Sequence, residues 1–112
     1  MPTIDEVFQM IDAALKEDSS RAQGMDAVYQ FNLSGDEEGT YQVVLRPDGS
    51  YAGAGELETS NCTLSMESED FKKLVQGEMN GTQAFLSGKL RIDGDMGLAL
   101  RLQDVLSAYN AS

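Results

Sequence analysis

Runs of alternating apolar and polar residues, separated by short turns, constrain the fold of this chain more than any other feature of its sequence. The first two runs each place three apolar residues on one face of a strand: Tyr29, Phe31 and Leu33, then Tyr41, Val43 and Leu45. Residues 34–39 form an acidic, glycine-containing turn between them, and residues 47–50 are a strong turn sequence. Turns this short join antiparallel strands, because parallel strands need a long crossover. The pattern therefore predicts an antiparallel meander.

Three more strands follow from the same reasoning. The third predicted strand covers residues 51–57 and is weakened by Gly53 and Gly55, since glycine in a strand leaves no side chain to pack. The fourth covers residues 62–66, and the fifth covers residues 89–93. The chain is thus predicted to contain five strands.

Apolar residues at helical spacing predict helices before and after these strands. The first helix begins at Thr3, where Glu6 completes a capping box. Ser68 is predicted to cap the second helix and Asp95 the last. The predicted bounds of the four helical segments are residues 3–18, 68–77, 83–86 and 95–109.

The last predicted helix has an unusually wide apolar surface. One stripe has the ordinary spacing of a core-facing helix: Leu98, Leu102, Val105, Leu106 and Tyr109. Met96 and Leu100 fall outside that stripe. Two interpretations fit: the helix is wedged between two core elements, or part of its surface lines a cavity or its entrance.

The charge balance argues against several classes of partner. The 112 residues fit one domain, residues 1–112, and carry nineteen acidic and eight basic side chains, a net charge of −11. This sign repels phosphate backbones and anionic lipid surfaces. We therefore expect no nucleic-acid partner and at most transient contact with a membrane.

Three observations favour a soluble protein of the cytoplasm. Cys62 is the single cysteine, which suits a reducing compartment. No secretion signal is visible at the start of the chain, and no apolar run approaches the ~20 residues of a membrane span. The final residues 109–112 do not match a peroxisomal import signal.

Side chains for catalysis are scarce. The chain has no histidine, the commonest general base and catalytic metal ligand. Cys62 shares a strand face with Leu64 and Met66 and is predicted to be a core residue. The segment 93–95 resembles the start of a calcium loop, but Leu98 and Asp104 occupy the positions where glycine and glutamate are required. We expect no enzyme, no cofactor and no metal site.

The second half of the chain resembles the sterol carrier protein type 2 domain family. The resemblance rests on these residues of the second half: 62–66, 68–71, Leu74, Gly77, Asn80, 84–85, 88–92, 94–95 and 98–106. It implies an α+β fold with a five-stranded, mostly antiparallel sheet covered by helices. It also implies a hydrophobic tunnel between sheet and helices that binds fatty acids, acyl-CoA, phospholipids or sterols.

From this resemblance we expect one cluster of residues to contact the ligand: Phe71, Leu74, Val75, Phe85, Leu86, Leu90, Ile92, Leu98, Leu102 and Leu106. Lys89 or Arg91 could meet a lipid headgroup, and solvated strand positions explain both residues equally well. Because a large dry cavity is costly in a small domain, the protein is expected to collapse partly without ligand, to hold mobile residues there, or to copurify with a lipid.

Two functions remain open on the sequence. The first is non-catalytic binding and intracellular carriage of a hydrophobic small molecule. The second is an accessory module with a vestigial or collapsed tunnel, which binds a partner protein such as an enzyme of lipid metabolism.

Overall fold

A mixed five-stranded sheet forms the centre of the molecule. The computed structural model describes residues 3–17, 26–46, 49–55 and 58–101. The strands are β1 (Ala27–Ser34), β2 (Gly39–Leu45), β3 (Tyr51–Ala54), β4 (Cys62–Glu67) and β5 (Arg91–Gly94). Their order is β3-β2-β1-β4-β5; β1 and β4 are parallel, and the other three neighbouring pairs are antiparallel. The predicted α+β class with a five-stranded, mostly antiparallel sheet is confirmed.

The described residues contain four helical segments. They are α1 (Ile4–Glu17), α2 (Ser68–Val75), α3 (Gly81–Leu86) and α4, which begins at residue 96 and is described to residue 101. The predicted ends of the first and last helices, at residues 18 and 109, lie outside the described residues. Within the described residues, no helix has both the length and the apolar character to cross a bilayer.

Helix α1 forms because its start is capped and one face is apolar. The Thr3 hydroxyl oxygen accepts a hydrogen bond from the Glu6 backbone N–H at 3.2 Å, which is one half of the predicted capping box, and the Glu6 carboxylate accepts the Thr3 hydroxyl at 3.2 Å in place of the Thr3 backbone N–H. The residues that α1 buries recur at helical spacing: Ile4, Val7, Phe8, Ile11 and Leu15. This stripe packs the helix onto the sheet.

Four aromatic rings join α1 and α2 to the sheet. Phe8 stacks on Tyr41 with ring centroids 4.4 Å apart and on Phe71 with centroids 5.1 Å apart. Phe31 meets Phe71 edge-on at 5.0 Å. Phe71 is fully buried, so the start of α2 belongs to the centre of the core.

Several predicted boundaries differ from the structure. Helix α2 begins with Ser68 itself, whose hydroxyl accepts a hydrogen bond from the Glu37 N–H at 3.3 Å and does not cap the helix. Strand β3 ends at Ala54, and β5 begins at Arg91, two residues later than predicted. Helix α3 starts two residues earlier than predicted, at Gly81, because the Asn80 side chain accepts hydrogen bonds from its first turn.

Glu37 connects three elements. One carboxylate oxygen accepts the Ile4 backbone N–H at the start of α1 at 2.8 Å, and the other accepts the ammonium group of Lys72 in α2. Lys72 is almost wholly buried. The hydrogen bond from Lys72, together with that from Ile4, lowers the pKa of Glu37 below its ordinary value. The turn between β1 and β2 is therefore tied to both helices by an ionised carboxylate.

Because the Glu37 carboxylate accepts hydrogen bonds from Ile4 and Lys72, we expect the stability of the fold to depend on acid pH. A lowered folded-state pKa means that the stabilisation is present above the ordinary value of 4.5 and is lost as the pH falls below it. We expect Glu37→Gln to lower the urea midpoint at neutral pH and to flatten its fall on acidification. Glu38→Gln removes an exposed neighbouring carboxylate and serves as the control. Identical pH profiles for the two variants would contradict the assignment.

Asp12 on α1 accepts a hydrogen bond from the edge strand β3. Its carboxylate accepts the backbone N–H of Ala52 in the edge strand β3 at 3.0 Å and pairs with Lys16 at 2.9 Å. Burial acts to raise the pKa of Asp12, but the bonds from Ala52 and Lys16 outweigh it and lower that pKa. Helix α1 thus satisfies an amide that the edge strand leaves unpaired.

Candidate functional site

An apolar pocket lies between the β4–β5 side of the sheet and the helices α2, α3 and α4. Its volume is about 70 Å³. The residues that line it are Leu64, Leu74, Gly81, Thr82, Phe85, Leu90, Ile92, Met96, Ala99 and Leu100. None of these side chains is charged, and Thr82 supplies the single polar one. Such a surface attracts hydrocarbon through the hydrophobic effect and offers almost no group that would act chemically on it.

The floor of the pocket follows from strand alternation. Leu64 in β4 is the cross-strand partner of Ile92 in β5, and both line the pocket. The next pair, Ser65 and Arg91, faces the opposite side of the sheet because successive strand residues alternate. The predicted headgroup contact of Arg91 is therefore not supported by its register, whereas Lys89 precedes the strand and is exposed.

Helix α4 is held over the pocket at its first turn. The Asp95 carboxylate accepts the N–H groups of Gly97 at 2.8 Å and Leu98 at 3.3 Å, which confirms the predicted cap. The Asp95 N–H donates to the carbonyl of Asn61 at 3.1 Å. Gly94 precedes it with φ of +115°, and a Cβ at this position would lie 2.5 Å from the Asn61 carbonyl oxygen. The start of α4 thus depends on a glycine.

A tyrosine fixes α4 from the sheet side. The Tyr29 hydroxyl, on a fully buried side chain of β1, donates to the Leu98 carbonyl oxygen at 2.7 Å. Burial raises the pKa of Tyr29, so the hydroxyl keeps its proton and remains a donor at neutral pH. Because α4 contributes Met96, Ala99 and Leu100 to the pocket, this bond sets the position of one wall.

Helix α3 is a short wall of the pocket with little buried surface. Ala84 is its single buried residue, and Phe85 lines the pocket while remaining 39% exposed. Gly77 and Gly88 flank the helix with φ of +80° and +83°, a conformation that favours glycine. A helix with one buried residue can move more easily than the packed core on the other side of the pocket.

The predicted ligand-contacting residues divide into three groups. Four of them line the pocket: Leu74, Phe85, Leu90 and Ile92. Four others lie elsewhere: Phe71 in the central core, Val75 and Leu98 partly buried against that core, and Leu86 exposed by 77% on α3. Leu102 and Leu106 lie outside the described residues. Ligand contact by any of the ten stays a prediction.

Six pocket residues were not in the predicted cluster: Leu64, Gly81, Thr82, Met96, Ala99 and Leu100. The sequence did contain a signal for Met96 and Leu100, whose positions off the core stripe suggested that they line a cavity. No comparable signal exists for Gly81, Thr82 or Ala99, since small residues on short helices carry little periodicity.

The size of the pocket limits what it holds in this form. A water-sized group needs roughly 10–15 Å³ of such volume, so the cavity has room for about five groups of that size. The described residues form a pocket and show no tunnel through the fold.

The described residues offer neither a reactive thiol nor a cluster of metal ligands. Cys62 is fully buried in β4, and burial raises the pKa of its thiol to about 11, so it stays protonated at neutral pH. Across residues 3–17, 26–46, 49–55 and 58–101, no three metal-ligating side chains approach closely enough to hold an ion.

A family model and curated proteins match almost the whole chain. The model of the SCP-2 sterol transfer family matches residues 8–107. Hydroxysteroid dehydrogenase-like protein 2 of Xenopus laevis is 41% identical over 109 residues, which are 96% of this chain and 26% of that protein. The chain therefore spans about a quarter of the length of the curated relatives it matches.

Solved structures share the fold at low sequence identity. Sterol carrier protein 2 of Yarrowia lipolytica, in its apo form, superposes with a TM-score of 0.81 at 20% identity and covers 96% of this chain and 93% of its own. Sterol carrier protein 2 of Aedes aegypti, in complex with palmitate, gives a TM-score of 0.71 at 18% identity, with 96% and 98% covered.

Proposed function

The chain belongs to the SCP-2 sterol transfer family, and on that premise we propose that it binds a hydrophobic small molecule in its apolar pocket and carries it chemically unchanged. One observation above all supports this: ten described residues, nine from β4, β5 and three helices and Leu90 just before β5, converge on one apolar space, and none of the ten is charged. Those ten residues, together with the other members of the predicted cluster, would form the binding site.

The proposed ligand is an amphiphile with an acyl chain or a sterol skeleton: a fatty acid, an acyl-CoA, a phospholipid or a sterol. Burying hydrocarbon contributes about 0.8 kcal/mol per methylene, so five buried methylenes contribute about 4 kcal/mol and sixteen about 13 kcal/mol. The present pocket takes the end of a chain, and α3 is the wall whose displacement would admit the rest. The palmitate bound to the Aedes aegypti protein supports a fatty acid as the first ligand to test.

Carriage without catalysis is supported by the chemistry of the lining. A reaction on the ligand needs a general acid, a base or a nucleophile within hydrogen-bond reach. The chain has no histidine, and Cys62 is buried with a raised pKa. Cytoplasmic location, and a single domain over residues 1–112, belong to the same proposal.

Native mass spectrometry of delipidated protein with palmitate tests the proposal. We expect a 1:1 complex and release of unmodified palmitate on denaturation, because the pocket is apolar and carries no reactive group. The same measurement with palmitoyl-CoA, a phospholipid and a sterol ranks the ligand classes. Failure of all four to bind would overturn the proposal, and release of an altered ligand would overturn its non-catalytic part.

A second candidate is an accessory module for an enzyme of lipid metabolism. The curated relatives carry the matching region as about a quarter of a larger protein whose name is that of a dehydrogenase-like protein. In this alternative the pocket stays collapsed and a protein surface performs the function. Specific co-purification with one enzyme, from protein that takes up no amphiphile, would favour it.

A further inference from the structure

Met96 is a methionine that faces both the solvent and the pocket. It is the first residue of α4, its side chain is 45% exposed, and it lines the pocket. The other methionines in the described part of the chain do not combine these properties. Met66 is buried, Met79 is partly buried against the core, and Met10 is exposed on α1 but does not line the pocket. The sulfur of Met96 is therefore accessible to a dissolved oxidant and belongs to the surface that would hold a ligand.

The one cysteine of the chain does not compete with Met96 for an oxidant. Cysteine reacts with peroxides as the thiolate, and Cys62 is fully buried with a raised pKa, so it keeps its proton at neutral pH. A methionine thioether has no proton to lose, so exposure decides whether it reacts. Within the described residues, Met96 and Met10 thus carry the sulfur atoms most exposed to oxidation. A thioether is neither an acid nor a base, so it does not supply catalysis on a bound ligand.

Resting on the proposed function, we propose that Met96 is an oxidation site at which a peroxide lowers the affinity of the pocket for hydrocarbon. The sulfur attacks one oxygen of hydrogen peroxide: an S–O bond forms, the O–O bond breaks, and the second oxygen leaves as water. The sulfur loses two electrons to the peroxide and becomes a sulfoxide. A methionine sulfoxide reductase supplied with a dithiol reverses the step, because the dithiol becomes a disulfide and the oxygen leaves as water.

A sulfoxide would change this part of the wall from apolar to polar. None of the ten lining side chains is charged, and Thr82 has the single polar one. The sulfoxide oxygen is a hydrogen-bond acceptor, and an acyl chain in the pocket offers it no donor, so burying it against a ligand costs free energy. If the side chain turns toward the solvent instead, the pocket loses apolar surface. Both orientations weaken the binding of an acyl chain.

The oxidation should act on the pocket and leave the fold in place. The first turn of α4 is held by the Asp95 carboxylate and by the Tyr29 hydroxyl, which donates to the Leu98 carbonyl oxygen. These bonds do not involve the Met96 side chain. Because Met96 is partly exposed, its sulfoxide oxygen can be hydrated in the ligand-free protein. We therefore expect oxidation of Met96 to change the midpoint of urea unfolding little.

Peroxide treatment of the folded, ligand-free protein tests the site. Peptide mapping by mass spectrometry should show oxidation of Met96 and Met10 well before that of the buried Met66. Titration with palmitate should then show an affinity roughly tenfold weaker than before treatment, and a methionine sulfoxide reductase should restore it. Oxidation of Met96 no faster than that of Met66, or an unchanged palmitate affinity once Met96 is fully oxidised, would overturn the proposal.

Met96 and Met10 supply matched variants. The palmitate affinity of Met96→Leu should be the same before and after peroxide, because leucine is not oxidised, whereas Met10→Leu should lose affinity as the wild type does. Met96→Gln places a polar amide on the pocket wall and should weaken palmitate binding without peroxide, and Met10→Gln should not. An equal loss of affinity in oxidised Met96→Leu would assign the effect to another methionine, such as Met1 or Met25 outside the described residues, and would overturn the proposal.

Benzene, a small apolar probe, separates this proposal from the carriage proposal. Apolar cavities in proteins bind benzene, and its binding can be followed by NMR before and after peroxide treatment. If palmitate never binds but benzene binds and is lost on oxidation of Met96, the carriage proposal fails and the oxidation site stands. If palmitate binds equally well before and after oxidation, the oxidation proposal alone fails. If palmitate never binds and benzene either does not bind or binds unchanged after oxidation, both proposals fail.

Discussion

Replacing Phe71 with alanine is expected to lower the free energy of unfolding by about 3–5 kcal/mol. The ring is fully buried between Phe8 of α1 and Phe31 of β1, with centroid distances of 5.1 and 5.0 Å. Its removal leaves a void where both helices meet the sheet, and the stacked partner also loses its contact. Urea unfolding followed by circular dichroism gives the number directly.

Phe85→Ala is the matched control for Phe71→Ala. Phe85 is 39% exposed and lines the pocket, so its loss removes less buried area and should cost well under half as much stability. The two variants also separate packing from ligand contact. At temperatures where both are folded, Phe85→Ala should weaken palmitate binding more than Phe71→Ala. Equal stability losses would contradict the assignment of Phe71 to the core.

Replacing Ala99 with phenylalanine is expected to weaken palmitate binding by at least about a hundredfold, the equivalent of about 2.7 kcal/mol. Ala99 lies on α4 and lines the pocket, which has room for only about five water-sized groups. A phenyl ring would occupy most of that space. The ring should also bury apolar surface of the pocket, so the stability of the ligand-free protein is expected to rise slightly.

Ala13→Phe controls for the added ring. Ala13 is exposed on α1, so the same substitution there should change neither palmitate affinity nor stability appreciably. Isothermal titration calorimetry of both variants with palmitate measures the affinity, and thermal unfolding of their ligand-free forms measures the stability. A folded Ala99→Phe protein that binds palmitate as tightly as the wild type would place the ligand outside this pocket.

Strand alternation predicted β1 and β4 well because burial alternates along much of both strands, whereas in β2 Gln42 and Val44 are buried together with Tyr41, Val43 and Leu45. Tyr29, Phe31 and Leu33 are buried and Gln30 and Asn32 are not, as a sheet with one covered face requires. The start of β5 was not predictable in this way. The N–H groups of Lys89 and Leu90 both donate to the Ala84 carbonyl oxygen, so neither is available for strand pairing. A contact with α3, remote from the strand pattern, sets that boundary.

In the pocket, too, local spacing predicted the position of some residues, whereas the position of others depends on tertiary packing. The helical positions of Met96 and Leu100 indicated an apolar surface beyond the core stripe, and both residues line the pocket. Phe71 and Leu86 are equally apolar in sequence, yet the first lies in the core and the second in solvent. Apolar character predicts burial on average, but the orientation of a short helix is decided by the elements around it.

The hydrogen bond from the Ala52 N–H to the Asp12 carboxylate also protects the sheet edge in a protein whose helix α3 is proposed to move when a ligand enters. Edge strands recruit other chains when their backbone amides are free, and a domain that loosens repeatedly would otherwise risk polymerising strand by strand. Here the β3 edge is occupied by a side chain from α1, and the β5 edge is only four residues long with Arg91 and Asp93 along it. The displacement of α3 that is proposed for ligand entry would therefore expose apolar side chains without freeing the Ala52 amide for pairing with another chain.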